Sequence, residues 1–315
     1  MSNTQGQANS EFVYFSNRGS RIFRHALEPL GGREYLPGDS HIDLLYFDTF
    51  GGKQPPIGDT SFTLIDRQRT IPLDNKAQMT AALMQSGRHF PRVYYSPDQV
   101  PAEPGSLWFI KSPLRSAGKG TSVVHYENLA KVFRSGNIIE EAVQDLCLIA
   151  GRKFTLRFYL LAHGGKLYFY PDGIVVLHGS PYAAGSCDPQ VQFLHDGYMD
   201  PDSPVTMYTP SVFPQYEEVL PGCAELALWS FRVFGDFLKY EPAGRYCLFG
   251  IDVLIRSDLT AVIVEINDRP NIVHTKEINQ GINIPMVRAL YAILDPSRES
   301  RMDSGAVRFA PLGEL

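Results

Sequence analysis

Two segments in the last quarter of the chain alternate apolar and polar positions as the strands of a hairpin do. Residues 249–255 and 261–267 show this period of two, with a polar four-residue turn between them. An antiparallel register centred in the middle of that turn places Asp252 opposite Glu265, and Asn267 shares their face. The apolar side chains then form the predicted core face: Phe249, Ile251, Val253, Ile255, Val262, Val264 and Ile266.

Asp252, Glu265 and Asn267 present two carboxylates and one amide oxygen on an otherwise apolar hairpin. Uncompensated charge is costly away from water, so these carboxylates need a cation or a metal ion. Hard oxygen ligands without Cys or His suit Mg2+, which takes one or two carboxylates together with phosphate oxygens and water. The alternative is a surface hairpin with solvated or salt-bridged acids, and it is favoured unless a phosphate-binding segment occurs elsewhere.

Residues 107–125 provide a candidate for such a segment. An apolar run ends in Lys111, a polar loop follows, and a β-branched run begins at Thr121. The loop contains Ser116, Gly118, Lys119 and Gly120. A Walker P-loop has a different glycine spacing and is followed by a helix. A glycine loop between strands can still offer backbone N–H groups to phosphates, beside a fixed lysine charge. A Gly-Lys-Gly sequence by itself is more often a plain hairpin turn.

A third segment, residues 152–161, is predicted to be a strand with one charged face. Lys153, Thr155 and Arg157 share that face because side chains alternate along a strand, and the other face is apolar. Two cations on one face require either a polyanionic ligand or separate carboxylate partners. Both alternatives stay open.

The order of these parts resembles the ATP-grasp fold, and within it the tubulin tyrosine ligase-like family. A strand lysine with a glycine loop, an acidic linker, an Arg-Lys-Phe-x-x-Arg strand and a Glu-x-Asn hairpin follow one another, and Asn75-Lys76 matches the helix start that precedes them. The resemblance covers about residues 71–290, and the Glu-x-Asn hairpin is its most specific motif. It implies an α+β fold that holds a nucleotide between two α+β subdomains, with a small N-terminal α/β subdomain.

The resemblance also implies ATP and Mg2+ as cofactors and assigns residues to them. Catalytic roles fall to Lys111, Lys153 and Arg157. Nucleotide binding is assigned to the lysines, the glycine loop and the acidic linker: Lys111, Ser116, Gly118, Lys119, Gly120, Glu140, Glu141, Ala142, Val143 and Lys153. The metal is assigned to Asp252, Glu265 and Asn267.

The activity implied is that of an ATP-dependent carboxylate–amine ligase. Such an enzyme forms an amide or peptide bond through an acyl phosphate and releases ADP and phosphate, for instance by adding an amino acid to a peptide or protein. Two alternatives remain: an ATP-grasp kinase that phosphorylates a small-molecule hydroxyl, and a catalytically silent nucleotide-binding module. None of these activities requires a nucleophilic Ser or Cys.

Two positions depart from the family pattern. Thr155 stands where the family usually has Asp, and Val176 stands about where it has an arginine that holds acceptor and phosphate. These departures predict that the nucleotide and metal parts are retained and that the acceptor-binding part is altered in specificity or reduced in activity.

Composition limits the class of protein. With 315 residues, 44% of them hydrophobic, the chain can bury a large core. Its net charge of −5 argues against a nucleic-acid surface, which normally has a basic stripe. No apolar run reaches the roughly 18 residues of a membrane span, and the polar start lacks signal-peptide features, so a cytoplasmic location without membrane contact is expected. The four cysteines lack metal or redox spacing and are expected to be reduced.

The chain is predicted to divide into four parts. Residues 1–10 are expected to be disordered, 11–75 to form the N-terminal subdomain, 76–140 the central subdomain with the lysine hairpin, and 141–315 the C-terminal subdomain with the metal site. Helices are expected at about residues 76–85, 128–133, 221–238 and 285–294.

Overall fold

The computed structural model describes residues 11–48, 54–85, 90–115, 118–193, 197–238, 243–301 and 305–315. The predictions for residues 1–10 and for Ser116 lie outside these ranges. The strands are β1 Phe12–Ser16, β2 Gly32–Glu34, β3 His41–Tyr46, β4 Asp59–Leu64, β5 Val93–Tyr94, β6 Leu107–Lys111, β7 Thr121–His125, β8 Ile138–Glu141, β9 Arg152–His163, β10 Lys166–Pro181, β11 Thr206–Tyr208, β12 Arg245–Ile255, β13 Ala261–Asp268 and β14 Ala310–Glu314.

The α-helices are α1 Ser20–Leu27, α2 Arg67–Asp74, α3 Lys76–Gln85, α4 Leu129–Val132, α5 Pro189–Gln192, α6 Tyr216–Val233, α7 Gly235–Leu238, α8 Lys276–Ile278 and α9 Ile284–Leu294. Short 3-10 turns occur at Glu28–Leu30, Pro97–Gln99, Tyr126–Asn128, Pro210–Val212 and Pro296–Arg301, and a π-turn at Asn279–Asn283. No helix among the described residues combines the length and the apolar character needed to cross a bilayer.

Two β-sheets organise the described residues. The larger has the order β11-β10-β9-β12-β4-β3-β1-β2, with β13 beside β12 and β14 beside β10, and the smaller has the order β5-β8-β6-β7. Strands β1 to β4 pair in parallel, whereas β9 to β14 pair antiparallel. The two parts of the larger sheet join where β4 pairs in parallel with Arg245 and Tyr246 of β12. The predicted α+β fold class is confirmed.

Strand β9 separates the core from an open face. Its side chains Phe154, Leu156, Phe158 and Leu160 are buried in a core shared with helices α2, α3 and α6. On the opposite face, Tyr159 and Leu161 are buried in a second core with α1 and α9. Lys153, Thr155 and Arg157 lie on that same face but nearer the start of the strand, outside the second core. The alternation predicted for this strand is confirmed, and it leaves a charged stretch of sheet available for a site.

The hairpin of β12 and β13 has the predicted pairing of Asp252 with Glu265, but a bulge produces it. The pairing of Ile255 with Ala261 centres the turn on Asp258, a register that would place Asp252 opposite Val264. The register shifts between Asp252 and Val253, and this shift restores the pair.

The bulge also changes which aliphatic side chains of the hairpin face the core. Ile263 and Ile266 pack in the core, whereas Val264 lines a cleft together with Leu254. Val262 pairs with Leu254 and therefore shares its side of the sheet. The expectation that Val264 packs in the core was wrong, because a regular alternation cannot anticipate a bulge. Val262 is buried as expected, but on the side of the sheet that carries Leu254.

Helix α6 begins earlier than predicted. The prediction placed its start near Pro221, a residue type common in the first helical turn. The helix begins instead at Tyr216, and Pro221 lies inside it. Glu217 and Glu218 lie in the first turn, where negative charge is favourable to the helix dipole. The helices predicted at 76–85 and 285–294 agree with α3 and α9.

The cysteines lie at unrelated places in the fold. Cys223 and Cys247 are buried, Cys147 and Cys187 are half-buried, and all four are thiols. They therefore contribute to packing and not to cross-linking.

Gly244 lies at the seam between the parallel and antiparallel parts of the larger sheet, where its carbonyl accepts a 2.9 Å hydrogen bond from the Thr63 N–H. Its φ is +84°, and a Cβ at this position would overlap the Ser61 carbonyl oxygen. We expect Gly244→Ala to lower the free energy of unfolding by about 2 kcal/mol or more, measured by urea denaturation.

Gly222 in helix α6 is the matched control, because a Cβ there would contact nothing. Gly222→Ala should stabilise the protein slightly, by up to about 1 kcal/mol. Equal stabilities of the two variants would show that the seam tolerates a side chain.

Candidate functional site

The two sheets face each other across a cleft that residues of both sheets line. The smaller sheet contributes Phe109, Lys111, Thr121 and Glu140 to its lining, and the larger contributes Lys153, Thr155, Asp252 and Glu265. Helix α3 adds Lys76, and the segment after β6 adds Arg115 and Gly118. The fold thus gathers charged side chains that are far apart in the sequence.

Most of the residues singled out in the sequence meet in this cleft. Those that line it are Lys111, Gly118, Glu140, Glu141, Val143, Lys153, Asp252 and Glu265. Ala142 is buried in the adjoining apolar cluster, whereas Lys119 and Gly120 are exposed in the loop. Arg157 and Asn267 do not line the cleft themselves, but both contact Asp252, which does. The roles assigned to these residues stay predictions.

Lys111 and Glu140 form a buried ion pair. Their side chains are 9% and 5% exposed, and Lys111 Nζ lies 2.5 Å from Glu140 Oε1. Strands β6 and β8 pair side by side, which brings the two groups together. Removing Lys111 would leave a buried carboxylate without its cation, a change that typically costs about 3–5 kcal/mol. A substitution at Lys111 therefore perturbs both the fold and the cleft.

Lys153 is the buried cation of the cleft without a carboxylate of its own among the described residues. It is 6% exposed, and its ammonium donates to the Gln192 carbonyl oxygen at 2.7 Å. The ammonium groups of Lys153 and Lys111 lie 5.4 and 5.7 Å from the centroid of the Phe109 ring. Burial, together with the nearby Lys111 charge, lowers the pKa of Lys153 to about 7. An anionic ligand would relieve both effects.

The two carboxylates of the hairpin are each paired with a cation. Arg157 donates to both oxygens of Asp252, at 2.7 and 2.6 Å, in the fork geometry that binds carboxylates most strongly. Lys76 donates to Glu265 Oε1 at 3.0 Å. The Asn267 amide lies 3.5 Å from Asp252 Oδ2. These cations offset the cost of placing carboxylates in the cleft.

The oxygen donors of Asp252, Glu265 and Asn267 fit Mg2+ in chemical type and number. No group of three or more His, Cys, Asp or Glu side chains suited to a metal occurs in the described part of the chain, so the amide oxygen is needed to complete the set. Burial, with Asp268 and Glu265 nearby, raises the pKa of Asp74 to about 6. The Glu265 carboxylate therefore lies close enough to other acids to affect their ionisation.

The two positions that depart from the family pattern are cross-strand neighbours, and of the two Thr155 lines the cleft. Thr155 Oγ1 lies 3.4 Å from His178 Nε2, and both residues line the cleft. Val176 pairs with Thr155 across the strands but is buried in the core with Tyr159. Arg152 does not replace the missing arginine, because its guanidinium donates to the His178 and Pro204 carbonyl oxygens.

Lys76 lines the cleft, a position that the sequence analysis did not predict. The Asn75-Lys76 pair was recognised only as a helix start, and Asn75 Oδ1 does accept hydrogen bonds from the N–H groups of Ala77 and Gln78. Lys76 also reaches Glu265 and the Arg115 carbonyl oxygen, at 3.0 and 2.9 Å. The motif indicated the residue, but only the tertiary structure reveals its partners.

Residues 52–195 match the model of the Tubulin-tyrosine ligase family. This range contains the strand lysine, the glycine loop, the acidic linker and the Lys/Arg strand. The match confirms the resemblance to the tubulin tyrosine ligase-like family, and together with the α+β architecture it identifies an ATP-grasp fold.

The chain is also similar to one curated protein, the probable alpha-tubulin polyglutamylase Ttll1 of Tetrahymena thermophila. The two are 20% identical over 230 residues, which is 61% of this chain and 55% of that protein. The chain therefore spans about half the length of this relative.

The pKa of Lys153 predicts a pH dependence of nucleotide binding. Phosphate oxygens favour the charged ammonium, so binding above pH 7 should take up a proton. Affinity should be highest where Lys153 is already charged and should fall as pH rises through its pKa of about 7, by up to about tenfold per pH unit. Calorimetry in two buffers of different ionisation enthalpy measures both quantities.

The control for this prediction is Lys153→Met, which keeps the apolar length and removes the titrating group. Its residual ATP affinity should be nearly constant between about pH 7.5 and about pH 9. The same pH dependence in the wild type and the variant would contradict the assignment of Lys153 to the phosphates.

Proposed function

We propose that this protein is an ATP-dependent carboxylate–amine ligase that forms an amide or peptide bond and releases ADP and phosphate. One observation carries the proposal: a single cleft holds the ammonium groups of Lys111 and Lys153 together with the carboxylates of Asp252 and Glu265. Cations for phosphate oxygens and oxygen donors for Mg2+ are needed together in phosphoryl transfer.

The nucleotide is proposed to lie between the two sheets. The linker from Glu140 to Val143 borders the cleft and would hold the adenine through its backbone groups and apolar side chains. Lys111 and Lys153 would bind the phosphates, with Gly118 of the loop beside them. Lys153 has no carboxylate partner of its own among the described residues, so a phosphate contact there costs no existing ion pair.

The reaction would proceed in two displacements. An oxygen of the substrate carboxylate attacks the γ-phosphorus, the bond to the β-phosphate oxygen breaks, and ADP leaves. The amine then attacks the acyl carbon of the acyl phosphate, loses a proton and displaces inorganic phosphate. Lys111 and Lys153 would stabilise the charge on the transferring group, mainly by electrostatics and positioning.

Asp252, Glu265 and Asn267 would hold Mg2+, with Arg157 paired to Asp252 and Lys76 paired to Glu265. Bound there, the ion would neutralise charge on the phosphate oxygens. Arg157 binds both oxygens of Asp252, so it fixes the orientation of that carboxylate and is available to an anion if the pair opens. Arg157 is thus proposed to contribute to catalysis through Asp252, whose carboxylate it positions.

A peptide or protein is the proposed acceptor, and the support is comparative. The matched family and relative are named for tubulin. The site differs from the family pattern at Thr155 and at Val176, which is buried in the core. Contacts to the acceptor must therefore come from other residues.

A nucleotide-binding module without catalysis is the second candidate. It is favoured by the ion pairs themselves, because Arg157 occupies both oxygens of Asp252 and Lys76 occupies one of Glu265. In such a module these pairs would persist when nucleotide binds.

Trapping with hydroxylamine tests the proposed function. A ligase supplied with ATP, Mg2+ and its carboxylate substrate yields a hydroxamate, because hydroxylamine intercepts the acyl phosphate. A glutamate-rich peptide is the first substrate to use, with a matched glutamine peptide as control. ADP release without hydroxamate would indicate a kinase, and nucleotide binding without ADP release would indicate the silent module.

Glu265→Gln tests the metal assignment, because it keeps the size of the side chain and removes one negative charge. We expect turnover to fall about 100-fold or more and the Mg2+ concentration for half-maximal activity to rise. The measurement is a Mg2+ titration of ADP release.

Glu218→Gln, at an exposed position on helix α6, is the matched control and should behave as the wild type. A normal Mg2+ requirement in Glu265→Gln would show that the hairpin carboxylates are ordinary ion-pair partners.

A further inference from the structure

A short segment, residues 182–193, contacts both sheets at the cleft. It follows strand β10 and contains helix α5. At its start the Tyr182 N–H donates to the Gly151 carbonyl oxygen at 2.8 Å, next to the first residue of β9. Further along, Cys187 and Phe193 pack against an apolar cluster formed mainly by strands β6 and β7. The conformation of this segment therefore depends on both walls of the cleft.

Gln192, the last residue of helix α5, holds a turn of this segment through its side chain. The residue is 2% exposed, and its amide nitrogen donates to the Ala183 and Ser186 carbonyl oxygens, at 3.1 and 3.0 Å. The Ala184 carbonyl oxygen lies 3.5 Å away. Backbone carbonyls only accept hydrogen bonds, so the group that faces them must be the NH2 of the amide. The turn at residues 183–186 is therefore fixed by a buried donor.

The backbone carbonyl of the same residue holds the ammonium of Lys153, with 2.7 Å between the nitrogen and the oxygen. Gln192 and Lys153 are both buried, and both line the cleft. A carbonyl oxygen favours the charged ammonium but does not neutralise it, whereas the Glu140 carboxylate neutralises Lys111. The contact with Gln192 therefore fixes Lys153 and leaves its charge for an anion.

Phe193 fixes the same carbonyl from the other side of the peptide bond. Its ring stands edge-on to the Phe109 ring, with 6.3 Å between the centroids and 77° between the planes. Gly118 lies next to it, because a Cβ there would be 3.2 Å from the Phe193 ring. The backbone at Gln192 is thus held by its own amide and by the packing of Phe193 against the smaller sheet.

We propose that Gln192 is a positioning residue of the phosphate site: its amide fixes segment 182–193, and its carbonyl thereby holds the Lys153 ammonium where a phosphate binds. The inference rests on the proposed function and adds to it a residue that acts through Lys153. A side chain that cannot donate would release the turn at residues 183–186, and the carbonyl would lose its fixed position. The ammonium would then lose the acceptor that favours its charged form.

Gln192→Met tests this role, because it keeps the length of the side chain and removes the amide. Calorimetry on the full chain with Mg2+ measures ATP affinity between about pH 6 and about pH 9. We expect affinity to fall at least about tenfold at about pH 7.5. The decline of affinity with rising pH should also begin about one pH unit lower than in the wild type, because loss of the acceptor lowers the pKa of Lys153 further.

The charged groups that act on Lys153, Lys111 and Glu140, are unchanged in this variant, and the titration of ATP is common to all variants. Gln190→Met is the matched control, because Gln190 is an exposed glutamine of the same helix. It should keep the affinity and the pH profile of the wild type. A wild-type pH profile in folded Gln192→Met would overturn the proposal.

Gln192→Asn is the second variant, since it keeps an amide on a shorter stem. Urea denaturation shows which of the two variants folds, and Gln192→Asn carries the test if Gln192→Met does not. Its affinity and its pH profile should change in the same direction and by a smaller amount. Wild-type behaviour of Gln192→Asn, when it is the variant that folds, would equally overturn the proposal.

Combining substitutions separates positioning from a general structural role. In the Lys153→Met background, Gln192→Met should reduce ATP affinity less than about twofold, because the group that it positions is absent. Losses that multiply in the double variant would show that Gln192 supports only the fold of its segment, and would overturn the proposal.

Lys153→Met alone separates this inference from the proposed function. Weakened ATP binding in Lys153→Met, with wild-type binding in folded Gln192→Met, would overturn the inference and leave the proposed function intact. Wild-type ATP affinity in Lys153→Met would remove Lys153 from the phosphates. The nucleotide assignment on which the proposed function rests would then fail together with the inference.

Discussion

Compensation of buried charge is the constraint on which the cleft depends. The pairs of Lys111 with Glu140 and of Arg157 with Asp252 hold charges that are too costly to bury alone. Each pair joins two neighbouring strands, β6 with β8 and β9 with β12. The charges that a nucleotide site needs therefore also link the strands that line the cleft. Lys153 is the exception, and its lowered pKa reflects the cost of burying an ammonium beside another ammonium.

The larger sheet makes this arrangement possible because β9 and β12 serve two purposes. The apolar face of each strand packs against α2, α3 and α6. The opposite face of β9 carries Lys153, Thr155 and Arg157 near its start and is buried in the second core from Tyr159 onwards. The parallel strands β1 to β4 continue the same sheet through β12. The N-terminal segment therefore extends the sheet from the start of β12, whereas the cleft lies at the other end of that strand, at Asp252.

Local patterns predicted the parts of the site, but not all of their contacts. Period-two alternation found the charged face of β9, because that face depends on strand geometry alone. The predicted pairing of Asp252 with Glu265 is present as well, but a bulge produces it. The bulge at Val264 and the start of α6 before Pro221 were missed, since both depend on tertiary packing. Lys76 was recognised as a helix start and not as a partner of Glu265, because that contact joins residues far apart in the sequence.

A nucleotide is proposed to bind between the two sheets with its phosphates at the buried cations. The most direct measurement is a crystal structure of the full chain with a non-hydrolysable ATP analogue and Mg2+. Phosphate oxygens are expected within hydrogen-bonding distance of Lys111 Nζ and Lys153 Nζ, and the metal at Asp252, Glu265 and Asn267. A nucleotide bound elsewhere, or one whose phosphates leave Lys153 with only the Gln192 carbonyl oxygen, would contradict it.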